Sequence, residues 1–345
     1  MNLDTRTYTD THSHTAAIPI RMDWIDHVKG FTIFLVVYGH NFPFTERYIY
    51  SFHMPLFFML AGFFHPPGSI QNIKRRFNSI IVPYFCWALL LYIFWFFLGR
   101  QYGDSAHLDL SPLKNFFGIF YVQGDRPFMD WGIPLWFLPA LFCTFLLLTA
   151  IQKIKNVPLK YIVLALTITA GLSFPRITVQ PLPWSIDVAM AALAFYALGF
   201  FIFPLLRDLS KKSGVIVFLV AGVVNLLLFS HNVKVDIYRS EYGNPMLFLL
   251  NGITGSLFVL MFFKLFPVFK FLGVIGKFSL VILALQLFAL TCIKFVLAFG
   301  FGHTEFNFSE TEKFLYAIVQ LLLLVPAFYV INKFCPILNG GYKKI

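Results

Sequence analysis

Apolar residues along this chain fall into runs too long for a soluble core, separated by short polar stretches that hold most of the prolines, lysines and arginines. A helix needs about 20 such residues to cross a bilayer. On that measure the pattern predicts ten spans, near 27–44, 49–65, 77–99, 133–152, 159–175, 184–205, 213–231, 246–267, 276–299 and 313–334. The predicted fold is all-α, a polytopic membrane helix bundle of about ten transmembrane helices. Nothing between the runs is long enough for a second domain. Residues 21–335 read as one membrane domain, with a mobile cytoplasmic tail at 1–20 and a short basic cytoplasmic tail at 336–345.

Composition points the same way: 58% of the residues are hydrophobic and 12% charged, about half the charged share of an ordinary soluble domain. A net charge of +11 would suggest nucleic acid in a soluble protein. Here the basic residues sit between apolar runs, where they read as a topology signal, and no nucleic-acid partner is predicted. With the N-terminus inside, the cytoplasmic segments carry seventeen Lys and Arg and the outer segments eight, which places both termini in the cytoplasm. Cys86, Cys143, Cys292 and Cys335 show no CxxC spacing and no His/Cys cluster, so free thiols are predicted, with no metal site. Residues 1–20 have no apolar core of the kind a cleavable signal peptide needs.

Candidate chemistry begins in the first run, DWIDHVKGFTIFLVVYGHN, which holds Lys29 and His40. Ionisable residues in apolar runs are costly in lipid and are functional candidates for that reason. A separation of eleven residues is close to three helical turns and about 16 Å of rise, so both side chains share one face, at opposite ends. Two readings stand for Lys29: a cation for an anionic ligand, or a snorkelling residue paired with Asp26. His40 is either a satisfied core histidine or a neutral imidazole able to take a proton from a hydroxyl. His53, in SFHMP, offers the same choice, and Pro55 two residues on marks a helix start. Lys74, Arg75 and Arg76 form the densest basic cluster. They read either as a positive-inside signal or as a phosphate clamp suited to coenzyme A, since arginine forks match phosphate oxygens. Asp187, after Pro183 and Ser185, is predicted to cap a helix start. Trp136, Asn251 and Gln286 are further polar islands in apolar runs.

The blocks WIDHVKGFTIFLVVYGH, SFHMPLFFMLAGFF, RRFNSIIVPYF, PLWFLPALF, LPWSIDVAMAALAFYALGF and GKFSLVILALQ occur here in that order. Together, over roughly residues 21–335, they resemble the integral-membrane acyltransferase 3 family, most nearly its fucose 4-O-acetylase-like branch. The resemblance implies ten core spans and transfer of an acetyl group from cytoplasmic acetyl-CoA, the donor substrate, to sugars of surface or exported glycans or their lipid-linked precursors. It implies a bacterial-type inner (plasma) membrane location. It places the family's basic residue and histidine on Lys29 and His40, with lysine where many members have arginine. The FHMPLFF histidine falls on His53, and the basic pair ahead of the third span on Arg75 and Arg76, beside Lys74. The chain departs from the family at Gln286, where many members carry a histidine; glutamine cannot titrate.

The leading reading is an O-acetyltransferase with His40, Lys29 and His53 catalytic and Arg75, Arg76 and Lys74 on the donor. A secondary transporter or exporter of a small anionic or sugar-linked solute is the alternative, since Pro- and Gly-broken spans with buried polar groups suit it as well. A scaffold role would leave Lys29 and His40 unexplained.

Overall fold

The structure is a computed structural model and describes residues 22–178, 180–266, 270–302 and 306–341. The N-terminal tail at 1–20, with His12 and His14, and the terminal Lys343 and Lys344 lie outside the described residues.

Among the described residues fifteen α-helices follow one another: α1 (Asp23–Gly39), α2 (Glu46–Tyr50), α3 (His53–Phe63), α4 (Ile70–Phe97), α5 (Pro112–Tyr121), α6 (Arg126–Met129), α7 (Phe137–Gln152), α8 (Val157–Ser173), α9 (Ile186–Asp208), α10 (Lys211–Leu228), α11 (Pro245–Leu265), α12 (Lys270–Lys277), α13 (Ser279–Phe301), α14 (Glu310–Leu323) and α15 (Val325–Phe334). Among the described residues, eight helical stretches are long and apolar enough to cross a membrane, the last of them α14 and α15 together. They correspond to the third to tenth predicted spans.

The first two predicted spans take a different form. α1 has 17 residues and α3 has 11, about 25 and 16 Å of helix, and α2 is a separate short turn between them. Their shortness follows from where they lie. Nine residues of α3, from His53 to Phe63, are buried, so this helix is surrounded by protein and need not match the thickness of lipid. Peripheral spans behave in the opposite way: in α8 only 11% of the apolar window is buried, against 67% for the span that ends in α7.

Close backbone contact fixes the central helices. A Cβ at Gly276 would stand 2.1 Å from the carbonyl oxygen of Asp26, and one at Gly30 would stand 2.0 Å from that of Leu272. Only glycine lets α1 and α12 meet in this way. The same holds for α3 against α9, where a Cβ at Gly62 would lie 2.0 Å from the Tyr196 oxygen and one at Gly199 2.1 Å from that of Met59.

Between α10 and α11 the chain folds into a tight loop. Asp236 and Glu241 exchange backbone hydrogen bonds of 2.9 and 3.0 Å, and Ser240 adopts a left-handed conformation at the turn (φ 58°). Asn232 pins the base, donating to the Tyr242 carbonyl at 3.0 Å and accepting from the Asn244 N–H at 2.9 Å. Arg47 of α2 donates to the carbonyls of Ser230 and Asn232, each at 2.9 Å. The predicted helix cap at Asp187 is corrected here. The start of α9 has no side-chain cap; buried Asp187 instead accepts from the Leu182 N–H at 3.2 Å and from the Ser240 hydroxyl at 2.9 Å. It is drawn away from its own helix end because Ser240 offers a desolvated donor, and it fastens the loop to α9. Past α15, Leu338 O accepts from the Trp87 indole at 2.8 Å and Asn339 donates to Lys277 O at 3.1 Å, so residues 336–341 continue against α4 and α12. All four cysteines are free thiols.

Candidate functional site

At the C-terminal end of α1 the sequence GHNFP turns the chain out of the helix. His40 occupies the C-cap, Phe42 is left-handed (φ 53°), and Pro43 follows; proline commonly follows a helix end because it cannot continue one. His40 therefore lies just beyond the helix, whereas the hydropathy pattern predicts it inside the span. Its Nδ1 donates to the Val36 carbonyl at 2.7 Å. His53 repeats this arrangement at the first residue of α3, its Nδ1 donating to Ile49 O at 2.8 Å. A carbonyl can only accept, so each Nδ1 carries the proton. In a neutral ring Nε2 is then the lone-pair nitrogen, and no hydrogen bond reaches that atom in either residue among the described residues.

His40 and His53 line one cavity of about 50 Å³, together with Met54, Trp136, Asp236 and Tyr238. The two histidines, separate in the sequence, are thus brought together. The Tyr50 ring lies 4.9 Å from that of His53. Lys234 pairs with Glu46 at 2.7 Å and stands 4.9 Å from the centroid of Tyr50, which holds the 232–244 loop down on α2. Burial pushes the Asp236 carboxyl up to about 6; Lys234 and Arg239 pull against that shift, and Glu241 and Glu46 add to it. His40 also borders a second, larger cavity of about 300 Å³, formed with Leu290 and Lys294 of α13, Lys313 of α14 and residues 306–308.

Lys29 lies two-thirds of the way toward the opposite end of α1. Its ammonium is 3.9 Å from Asp26 and 5.4 Å from the centroid of Phe64. The basic triplet of α4 divides. Arg76 is half-buried, donates to the Phe64 carbonyl and lies over the Phe145 ring at 5.8 Å, whereas Lys74 and Arg75 are exposed. Next to Arg76, His65 meets the Tyr196 hydroxyl at 3.2 Å. So the structure joins Lys29 to Arg76 and leaves Arg75 and Lys74 on the surface. Gln286 is fully buried with neither amide atom hydrogen-bonded, while its backbone carbonyl accepts from Gln320, which in turn accepts from Asn41.

Several residues of this region escape a reading by hydropathy. Asp236, Tyr238, Glu46 and Lys234 lie in loops, and their convergence depends on a turn that carries no motif. Lys294 is different: it sits within the apolar run LTCIKFVLAF of α13 and carries the same signal that marks Lys29.

No curated protein and no solved structure shows a significant match to the chain. A family model described as an acyltransferase domain matches residues 22–333. The match runs over nearly the whole length, and with eight helical stretches among the described residues long and apolar enough to cross a membrane it shows that the chain belongs to the acyltransferase 3 family, as a multi-pass membrane acyltransferase.

Proposed function

We propose that this protein is an O-acetyltransferase that moves an acetyl group from cytoplasmic acetyl-CoA to a hydroxyl of a surface or exported glycan or its lipid-linked precursor. One observation carries the reading: His40 Nδ1 is committed to a backbone carbonyl beside a cavity shared with His53, so Nε2 is the atom left to accept a proton. The acceptor O–H gives its proton to His40 Nε2 as its oxygen attacks the thioester carbonyl carbon. A C–O bond forms, the C–S bond breaks, and the coenzyme A thiolate leaves with the proton returned by the imidazolium. His53, anchored in the same way, brings a second lone-pair Nε2 to that cavity, where it accepts a hydrogen bond and positions the reacting groups.

The donor's phosphates are held at the other end of α1, by Arg76 and Lys29 where they meet at Phe64, with Arg75 and Lys74 meeting the same anion from the surface. About 16 Å of helix rise separates Lys29 from His40, which leaves the thin thioester arm to cover that distance within the bundle. The topology proposed with this reading counts α1 and α3 as the first two of ten spans, with both termini cytoplasmic, in a bacterial-type plasma membrane.

The test is release of free coenzyme A thiol by purified protein in detergent, given acetyl-CoA and a deacetylated glycan acceptor. Thiol release that depends on the acceptor supports the reading. Gradient-dependent movement of an unmodified solute with no thiol release would make the chain a transporter instead.

A further inference from the structure

The larger cavity beside His40 has a chemistry of its own. Two lysines line it, Lys294 and Lys313. Lys313 is neutralised by Glu310 at 2.7 Å, and Glu310 is itself held by the Phe44 N–H at 2.9 Å. Among the described residues the Lys294 ammonium meets the Phe306 ring, at 5.4 Å, and no carboxylate pairs with it. It is half-buried and projects from α13, a helix apolar enough to cross the membrane. A lysine there carries a desolvation cost, and such residues commonly face a cavity in the bundle, as this one does. Among the described residues one lysine is balanced and the other is not, so this part of the lining carries a net positive charge.

Its remaining lining includes Phe306 and Phe308 with the side-chain amides of Asn41 and Asn307. Flat apolar faces with a few amides around one charge make a site for a polar ring bearing an anion. A volume of about 300 Å³ reaches the lower range of small-molecule sites. The cavity that His40 shares with His53 is smaller, about 50 Å³, and more apolar.

We infer that the larger cavity is the acceptor site and that the acceptor is an anionic saccharide, its carboxylate or phosphate held by Lys294 while a hydroxyl reaches His40. This rests on the acyltransferase reading for the role of the site, though binding can be measured without any transfer. Two sources share the chemistry, a uronic acid within a glycan and the phosphate of a lipid-linked sugar.

Calorimetric titration of the detergent-purified protein with glucuronate, glucose 1-phosphate and neutral methyl glucoside separates them. At least one charged sugar is expected to bind ten or more times as tightly as methyl glucoside, and which one does so identifies the source. Lys294→Met should reduce that preference to within about twofold, and Lys294→Arg should keep it. Equal affinity for neutral and charged sugars, no binding of either charged sugar, or a preference that survives Lys294→Met would overturn the inference. The comparison of the three sugars on the wild-type protein decides even if Lys294→Met does not fold. Acceptor-dependent thiol release together with equal binding of all three sugars would remove the anionic acceptor alone and leave the transferase standing.

Discussion

Lys29 and Arg76 converge on one residue from two different helices: the ammonium stands over the Phe64 ring at 5.4 Å while the guanidinium donates to the Phe64 carbonyl. Each group is thereby held near the end of α1 opposite His40. The carbonyl occupies part of the arginine's fork and leaves further N–H groups for a phosphate.

This arrangement separates the two arginines that the sequence presents as a pair. Charge-assisted bonds to phosphate contribute about 1.5 to 3 kcal/mol, so Arg76→Ala should raise the acetyl-CoA requirement by roughly ten- to a hundredfold. Arg75→Ala, on an exposed side chain, should raise it less. Saturation curves in acetyl-CoA for the two variants, with membrane insertion checked in parallel, make the comparison; equal effects would place the donor on the surface of α4. Lys29→Arg should keep activity where Lys29→Ala does not, because a guanidinium can also stand over Phe64.

The Lys234–Glu46 pair at 2.7 Å joins the 232–244 loop to α2 beside the two histidines. Half-exposed pairs of this kind are worth about 0.2 to 1 kcal/mol, so Lys234→Met should barely move the thermal midpoint. Its effect on transfer should be several-fold larger than that stability change suggests, since the loop supplies Asp236 and Tyr238 to the cavity. Exchanging the charges, Glu46→Lys with Lys234→Glu, should recover most of the rate. A double exchange no better than the single variants would deny the pair its positioning role.

Asp236 gives the fold a pH dependence whose sign can be worked out. Burial raises its folded-state value to about 6 from the ordinary 3.8. The folded protein therefore keeps a proton that the unfolded chain has already released, and stability falls as pH rises through the interval from about 4 to 6. Above 6 the cost is constant. Asp236→Asn, which is never charged, should raise the thermal midpoint at pH 7.5, by a difference on the order of 1 to 3 kcal/mol. That difference should shrink as the pH is lowered from 6 to 4. A gap independent of pH would mean that the carboxyl is not desolvated in the native loop.

The long spans were legible because lipid imposes a length, and the third to tenth predicted runs all became apolar helices. The first two differed because α3 is enclosed by protein, and enclosure removes the length requirement without leaving a mark in hydropathy. Lys29 and His40 could be found from the period of a helix alone. The meeting of His40 with His53 required the turn at Phe42 and Pro43, which the sequence suggests only in part. Asp236 and Lys234 reach the cavity through the hydrogen bonds of Asn232, Arg47 and Asp187, and pairings between residues so far apart in the chain leave no local pattern. The cap expected of Asp187 failed for the same reason, since its partner Ser240 lies in another loop.

The two anchored histidines differ in what each can do, and their variants should differ accordingly. A general base is typically worth about 10² to 10⁴ in rate. His40→Gln keeps a hydrogen-bonding side chain but cannot take a proton, so transfer should fall at least a hundredfold while acetyl-CoA binding is preserved. His53 borders only the smaller of the two cavities, and His40 borders both. A residue that positions a reacting group by accepting its hydrogen bond can be partly replaced by another acceptor, so His53→Gln, with its amide oxygen, should retain more activity than His53→Ala. Acetyl-CoA binding and thiol release measured on the same preparations give both quantities. Should His40→Gln keep more than about a tenth of the wild-type rate while His53→Gln loses all of it, the base would be His53 and the acceptor would approach through the smaller cavity. A hundredfold loss at His40 with partial retention at His53→Gln places the proton on His40 Nε2, the ring atom left open by the 2.7 Å bond from Nδ1 to Val36.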